Sequence, residues 1–147
     1  MKTDLEHATL NILLADDDAD DCFFFEKALE ETPIATHLIT VKDGEQLMNY
    51  LLENYKHLPD VIFLDLSMPR KTGFECLTEI KENDKLKDLH VVMLSTSFPR
   101  DTKYEEDIIK MLYTVGAQDY IRKPSDFKML KEVIQNVLIK VAGKNVV

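Results

Sequence analysis

The chain has 147 residues, a formal charge of -9 and 45% hydrophobic residues, with 31% charged. That length fits one domain with a core large enough to need no disulfide or metal staple. The acidic balance argues against broad nucleic-acid binding, which depends on Lys and Arg neutralising phosphates. Cys22 and Cys76 form no disulfide framework or metal spacing, and reduced thiols in a cytoplasmic protein are expected. No apolar run approaches the roughly 20 residues a membrane-spanning helix needs, and MKTDLEHATL is too acidic for a signal peptide.

In chain order, the apolar runs predict strands at Leu10 to Ala15, His37 to Val41, Val61 to Leu64, Val91 to Leu94 and Asp119 to Ile121. Several are continuously apolar, as expected of central parallel strands covered on both faces. Amphipathic segments fill the gaps. The first helix opens at Asp18, with Asp20 and Asp21 as further helix-start acids suited to the positive end of the helix dipole, and Pro33 closes it. Within it, Phe24, Phe25, Ala28 and Leu29 form the inward set. Phe23 is left at least partly exposed, because consecutive residues turn about 100° around a helix. The second helix follows Asp43-Gly44, with Leu47, Tyr50 and Leu51 inward. The third starts near Gly73, with Phe74, Leu77 and Ile80 in a row. The fourth lies between Thr102 and Val115, with Ile108, Met111, Leu112 and Val115 inward. The fifth runs from Ser125 or Asp126 to about Val141, burying Phe127, Leu130, Val133, Ile134, Val137 and Leu138. AGKNVV reads as a loose tail.

Five strands alternating with five helices predict an α/β, doubly wound, five-stranded parallel sheet of order 2-1-3-4-5, a flavodoxin-like three-layer architecture. Residues 8–142 form the expected domain, with 1–7 and 143–147 as short tails and no output domain. In this topology the ends of the first and third strands adjoin at the reversal point. Asp16 and Asp17 would therefore meet Asp65 in one crevice, joined by Ser95 and Lys123 from the fourth and fifth strand ends.

The chemistry follows from charge. Packed carboxylates repel one another, and proton uptake or a bound cation relieves the repulsion. Oxygen-only ligands favour Mg²⁺, which keeps several waters and recruits phosphate oxygens. Asp65, followed by the turn Leu66-Ser67-Met68-Pro69, is the best placed nucleophile for an acyl phosphate. Lys123 can pair with phosphoryl oxygens, and the Ser95 hydroxyl can hydrogen-bond one of them.

The motifs ILLADD, VIFLDLSMPRKTGFE, VVMLSTS and GAQDYIRKP, in this order and at these strand ends, resemble a receiver domain of the two-component response regulators. The resemblance extends from about Leu10 to Val141. It implies phosphotransfer onto Asp65 from a sensor histidine kinase or phosphotransfer protein, with Mg²⁺ or Mn²⁺ required. By position, it makes Asp17 a direct metal ligand, Asp16 a holder of metal-bound water and the Ser67 backbone carbonyl a further ligand. Ser95 becomes the switch hydroxyl and Lys123 the phosphate-binding lysine. Tyr120 becomes the aromatic partner that turns inward, and the Lys123-Pro124 bond is expected to be cis. Ser97 and Pro124 are second-tier positions, and Phe23 is a candidate contact for the kinase's helical bundle.

The stretch FPRDTKYEED (98–107) departs from the family pattern by lengthening the connection into the fourth helix, as a lid, a partner surface or a tolerated insertion. ENYKHLPD reads as surface variation. Output would pass to a separate downstream protein, or through a homodimer across the fourth-helix, fifth-strand and fifth-helix face, with neither nucleic acid nor membrane as partner. The enzyme alternative, a phosphatase with an Asp nucleophile, typically places a second acid two residues on, where this chain has Ser67. A receiver-like binding module that no longer takes phosphate is the other alternative, opposed by the intact Asp17, Asp65, Ser95 and Lys123 set.

Overall fold

A computed structural model describes residues 9–96 and 102–144. Five strands, β1 (Leu10–Ala15), β2 (Thr36–Val41), β3 (Val61–Asp65), β4 (Val91–Ser95) and β5 (Asp119–Arg122), form one parallel sheet in the order β2-β1-β3-β4-β5. Between and after them run α1 (Ala19–Glu30), α2 (Gly44–Glu53), α3 (Gly73–Glu82), α4 (Thr102–Val115) and α5 (Phe127–Lys144). The expected architecture is the observed one. β3 and β4 each extend one residue further than expected, so Asp65 and Ser95 are the last residues held by the sheet.

Alternation along the strands sorts the core although the strands are apolar throughout. Leu13, Ile62, Leu64 and Met93 pack beneath α2, α3 and α4 with Leu47, Leu51, Leu77, Ile80 and Leu112. Ile12, Leu14, Phe63 and Val92 face α1 and α5 with Phe25, Leu29, Ile134 and Leu138. The named residues of both layers are buried, and the Phe25 and Phe63 rings meet edge-on at 4.9 Å.

The helices begin where side chains satisfy free backbone donors. Asp18 accepts from the Asp21 N–H, Asp43 from the Gln46 N–H, and Thr72 and Glu75 form a reciprocal capping box.

Several expectations are corrected. Phe24 is 48% exposed, because the buried stripe of α1 is only Phe25, Ala28 and Leu29. Met111 is 41% exposed, since Leu112 takes the inward position in α4. The helix α5 continues through Lys144, so the first residues of the expected tail are helical. Thr102 to Asp107 are likewise helical, which shortens the long connection expected over 98–107. The remainder of that stretch and Ser97 lie outside the described residues. The Lys123-Pro124 bond is trans, the isomer that even prolyl bonds favour by about 0.5–1 kcal/mol.

Candidate functional site

The strand register brings distant residues to one edge. Ala15 pairs with Leu64, so Asp16 stands level with Asp65 on the neighbouring strand; Asp65 pairs with Leu94, and Ser95 with Arg122. The Asp16 N–H donates to the Val41 carbonyl, and the Lys123 N–H to the Ser95 carbonyl, extending the sheet pattern one residue past β1 and β5. Asp16, Asp17, Asp65, Ser67, Ser95 and Lys123 line a single crevice.

At its centre the Lys123 ammonium lies 2.9 Å from a carboxylate oxygen of each of Asp16, Asp65 and Asp21. Burial pulls the Lys123 pKa down, but hydrogen bonds to these three carboxylates outweigh it and raise it overall. The Asp65 side chain is 7% exposed, and burial raises its pKa to about 6. Lys123 opposes that rise, and the charges of Asp16 and Asp17 add to it. Asp16 is buried and also accepts from the Asp18 N–H at 3.0 Å, whereas Asp17 is exposed at the crevice mouth.

The residues present fit a divalent cation. Asp16, Asp17 and Asp65 each offer a carboxylate oxygen, all within 4.8 Å of one another. These are the hard, anionic oxygen donors that Mg²⁺ and Mn²⁺ take.

The turn after Asp65 is fixed by backbone bonds. The Leu66 N–H donates to the Leu94 carbonyl at 2.9 Å, and the Gly73 N–H returns to the Leu66 carbonyl at 3.0 Å. A Cβ on Gly73 would stand 2.2 Å from the Asp65 carbonyl oxygen, so only glycine lets α3 start this close to the end of β3. Within the turn Arg70 has φ +70°, and the Lys71 N–H reaches the Pro69 carbonyl at 2.8 Å, which makes a γ-turn centred on Arg70.

On the far side, the Ser95 hydroxyl is hydrogen-bonded to the Tyr120 hydroxyl, so Tyr120 already points inward. The Tyr120 O–H in turn donates to Glu105 Oε2 at 2.9 Å, and Arg122 donates to Glu105 Oε1 at 2.7 Å. Pro124 borders the neighbouring groove between α1 and α5, with Phe24, Phe127 and Leu130. Phe23 is 55% exposed; its ring sits edge-on to Phe24 at 5.6 Å, with the Lys27 ammonium 5.5 Å above it.

Two residues of this site were not singled out by sequence reasoning. Asp21 reads locally as a helix-start acid, and its spacing of four from Asp17 is the only signal that it faces the crevice. Glu105 carries no local signal, because its partners come from β5.

The response regulator receiver domain model matches residues 12–135. The chain belongs to that family. This receiver is 32% identical to Response regulator Rcp1 of Synechocystis over 130 residues, covering 86% of this chain and 84% of the relative. It is 34% identical, at a TM-score of 0.76, to the crystal structure of the phosphorylated cyanobacterial phytochrome response regulator RcpA, covering 88% of this chain and 91% of that one. The Mn²⁺-bound form of Rcp1 is 32% identical at a TM-score of 0.74, covering 87% and 91%. The receiver is thus a signalling domain of the two-component type, a family that binds divalent metal and works with histidine kinases or phosphotransfer proteins and downstream effectors. Among the described residues no helix is long and apolar enough to cross a membrane.

Proposed function

We propose that Asp65 is the phosphoacceptor, taking a phosphoryl group from a sensor histidine kinase or phosphotransfer protein in the presence of Mg²⁺ or Mn²⁺. One observation carries this reading: the Asp65 carboxylate is held by Lys123 in a crevice where Asp16, Asp17 and Ser95 also converge. A carboxylate oxygen of Asp65 attacks phosphorus, the new O–P bond forms, and the P–N bond to the donor imidazole breaks with its electron pair leaving on nitrogen. Asp16, Asp17, Asp65 and the Ser67 backbone carbonyl would hold the metal. When bound, it supplies neutralisation of the charge on the phosphoryl oxygens.

The chain's own residues do the rest. Lys123 is positioned to transfer one of its carboxylate bonds to a phosphoryl oxygen, and Ser95 to donate its hydroxyl to another. Phosphorylation replaces the single negative charge of the Asp65 carboxylate with the roughly two of a phosphoryl group, at the end of β3 beside Ser95 and Lys123. The resulting shift favours whichever arrangement of Ser95 and Tyr120 contacts the phosphoryl group better. A separate downstream protein, or a second copy of the chain, reads that surface. Exposed Phe23 and Phe24 on α1, beside the crevice, support α1 as the docking site for the phosphodonor. The receiver works in the cytoplasm as a signalling protein whose only chemistry is its own phosphorylation and dephosphorylation.

Incubation with Mg²⁺ and a small phosphodonor such as acetyl phosphate is expected to add one phosphate, read by intact-protein mass spectrometry. Asp65→Asn should abolish it; labelling that persists in that variant places the acceptor elsewhere.

A further inference from the structure

We infer that Glu105 sets the direction of the hydrogen bond between Ser95 and Tyr120, and so holds the receiver against its phosphorylated arrangement. The inference rests on Asp65 being the phosphoacceptor. A carboxylate is an acceptor only, so Tyr120, whose hydroxyl lies 2.9 Å from Glu105 Oε2, spends its single proton on Glu105. The bond between Tyr120 and Ser95 must then use the Ser95 proton. Ser95 has no second proton to offer a phosphoryl oxygen, which is itself acceptor-only.

The two uses of the Ser95 hydroxyl exclude each other. Phosphorylation at Asp65 draws the Ser95 proton into the crevice only by breaking its bond to Tyr120. Glu105 makes Ser95 the donor of that bond. Its carboxylate is well anchored, being 13% exposed and paired at its other oxygen with Arg122 of β5. Glu105 lies in the first turn of α4, so the same carboxylate links α4 to the switch pair and to the end of β5. It touches neither Asp65 nor Lys123 and acts through Tyr120, as a positioning residue.

The amide of Glu105→Gln can donate to the Tyr120 oxygen, which frees the Tyr120 proton for Ser95 and the Ser95 proton for the phosphoryl group. Glu105→Ala removes the acceptor and frees the same proton. A net hydrogen bond corresponds to about threefold to tenfold in an equilibrium constant. The test is calorimetric titration of the full chain with beryllium trifluoride, a phosphoryl mimic, at saturating Mg²⁺. Both variants are expected to bind it about threefold to tenfold more tightly than the wild type. In a Tyr120→Phe background, which lacks the shared hydroxyl, Glu105→Gln should give no further gain. Unchanged affinity in both single variants overturns the role of Glu105 and leaves the Asp65 reading intact. A gain that survives in the Tyr120→Phe background overturns the route through Tyr120. Failure of the wild type itself to bind the mimic overturns the Asp65 reading, and this inference with it.

Discussion

The Lys123 ammonium stands as close to Asp21 as to Asp65, at 2.9 Å from each. Asp21 therefore competes for the cation that a phosphoryl group at Asp65 would need, and adds negative charge in the path of an anionic donor. The Asp21 carboxylate is part-exposed, so solvent screens the effect to that of a surface ion pair, about 0.2–1 kcal/mol. Asp21→Asn is expected to accelerate labelling by acetyl phosphate about twofold to fourfold at saturating Mg²⁺. Time-resolved mass spectrometry checks this, and slower labelling would mean that Asp21 aids rather than competes.

The raised pKa of Asp65 is a statement about stability. Its folded value of about 6 lies above the ordinary 3.8, so between these values the folded state binds more protons than the unfolded one. The contribution of Asp65 to stability is therefore least unfavourable near pH 4, worsens as pH rises through about 6 and is fully unfavourable above it. Two pKa units correspond to about 3 kcal/mol. With metal removed by chelator, Asp65→Asn should be more stable than the wild type at pH 7 by about 1–3 kcal/mol. The difference should shrink as pH falls from 6 to 4, as measured by urea denaturation at each pH.

Metal should reverse part of that cost. A ligand that binds only the folded state stabilises by about 1.4 kcal/mol at ten times its dissociation constant. Mg²⁺ is expected to raise the urea midpoint of the wild type, and chelator to restore the original value. Asp17→Asn should lose most of this gain while leaving the metal-free midpoint little changed. Asp17 is exposed, and the contacts of Lys123 are to Asp16, Asp21 and Asp65.

The strand ends were legible because apolar runs stop there at polar residues. Continuous apolar runs mark buried parallel strands, and polar residues that follow them can only emerge at the sheet edge. Asp16, Asp65 and Ser95 are of that kind, whereas Lys123 follows the short edge strand DYIR, in which only Ile121 is buried. Phe24 and Met111 were misplaced because helical spacing locates a stripe but not its width; each lies beside a residue that fills the inward position, Phe25 and Leu112. Asp21 and Glu105 act on partners 102 and 15 residues away, so their roles depend on how α1 and α4 sit against β5. Its place in the first turn of α1 accounts for Asp21 locally, and its bond to Lys123 leaves no local mark.

Gly73 provides a test of how tightly the backbone fixes Asp65. A Cβ there would lie 2.2 Å from the Asp65 carbonyl oxygen and 2.9 Å from the Asp65 carbonyl carbon and the Leu66 Cα. These are backbone atoms, so no flexible side chain can yield; either α3 retreats or the end of β3 moves. Overpacking of this kind costs about 1–3 kcal/mol, more than the up to about 1 kcal/mol that Ala gains over Gly in a helix. Gly73→Ala should thus lower the urea midpoint, whereas Gly143→Ala, with nothing within 4 Å of its Cβ, should hold or raise it. Gly73→Ala should also slow acetyl phosphate labelling under conditions where circular dichroism shows it fully folded. Slowed labelling in a folded variant would mean that the Asp65 carboxylate has been moved from Lys123. Normal labelling would show that α3 gives way and that the strand end does not.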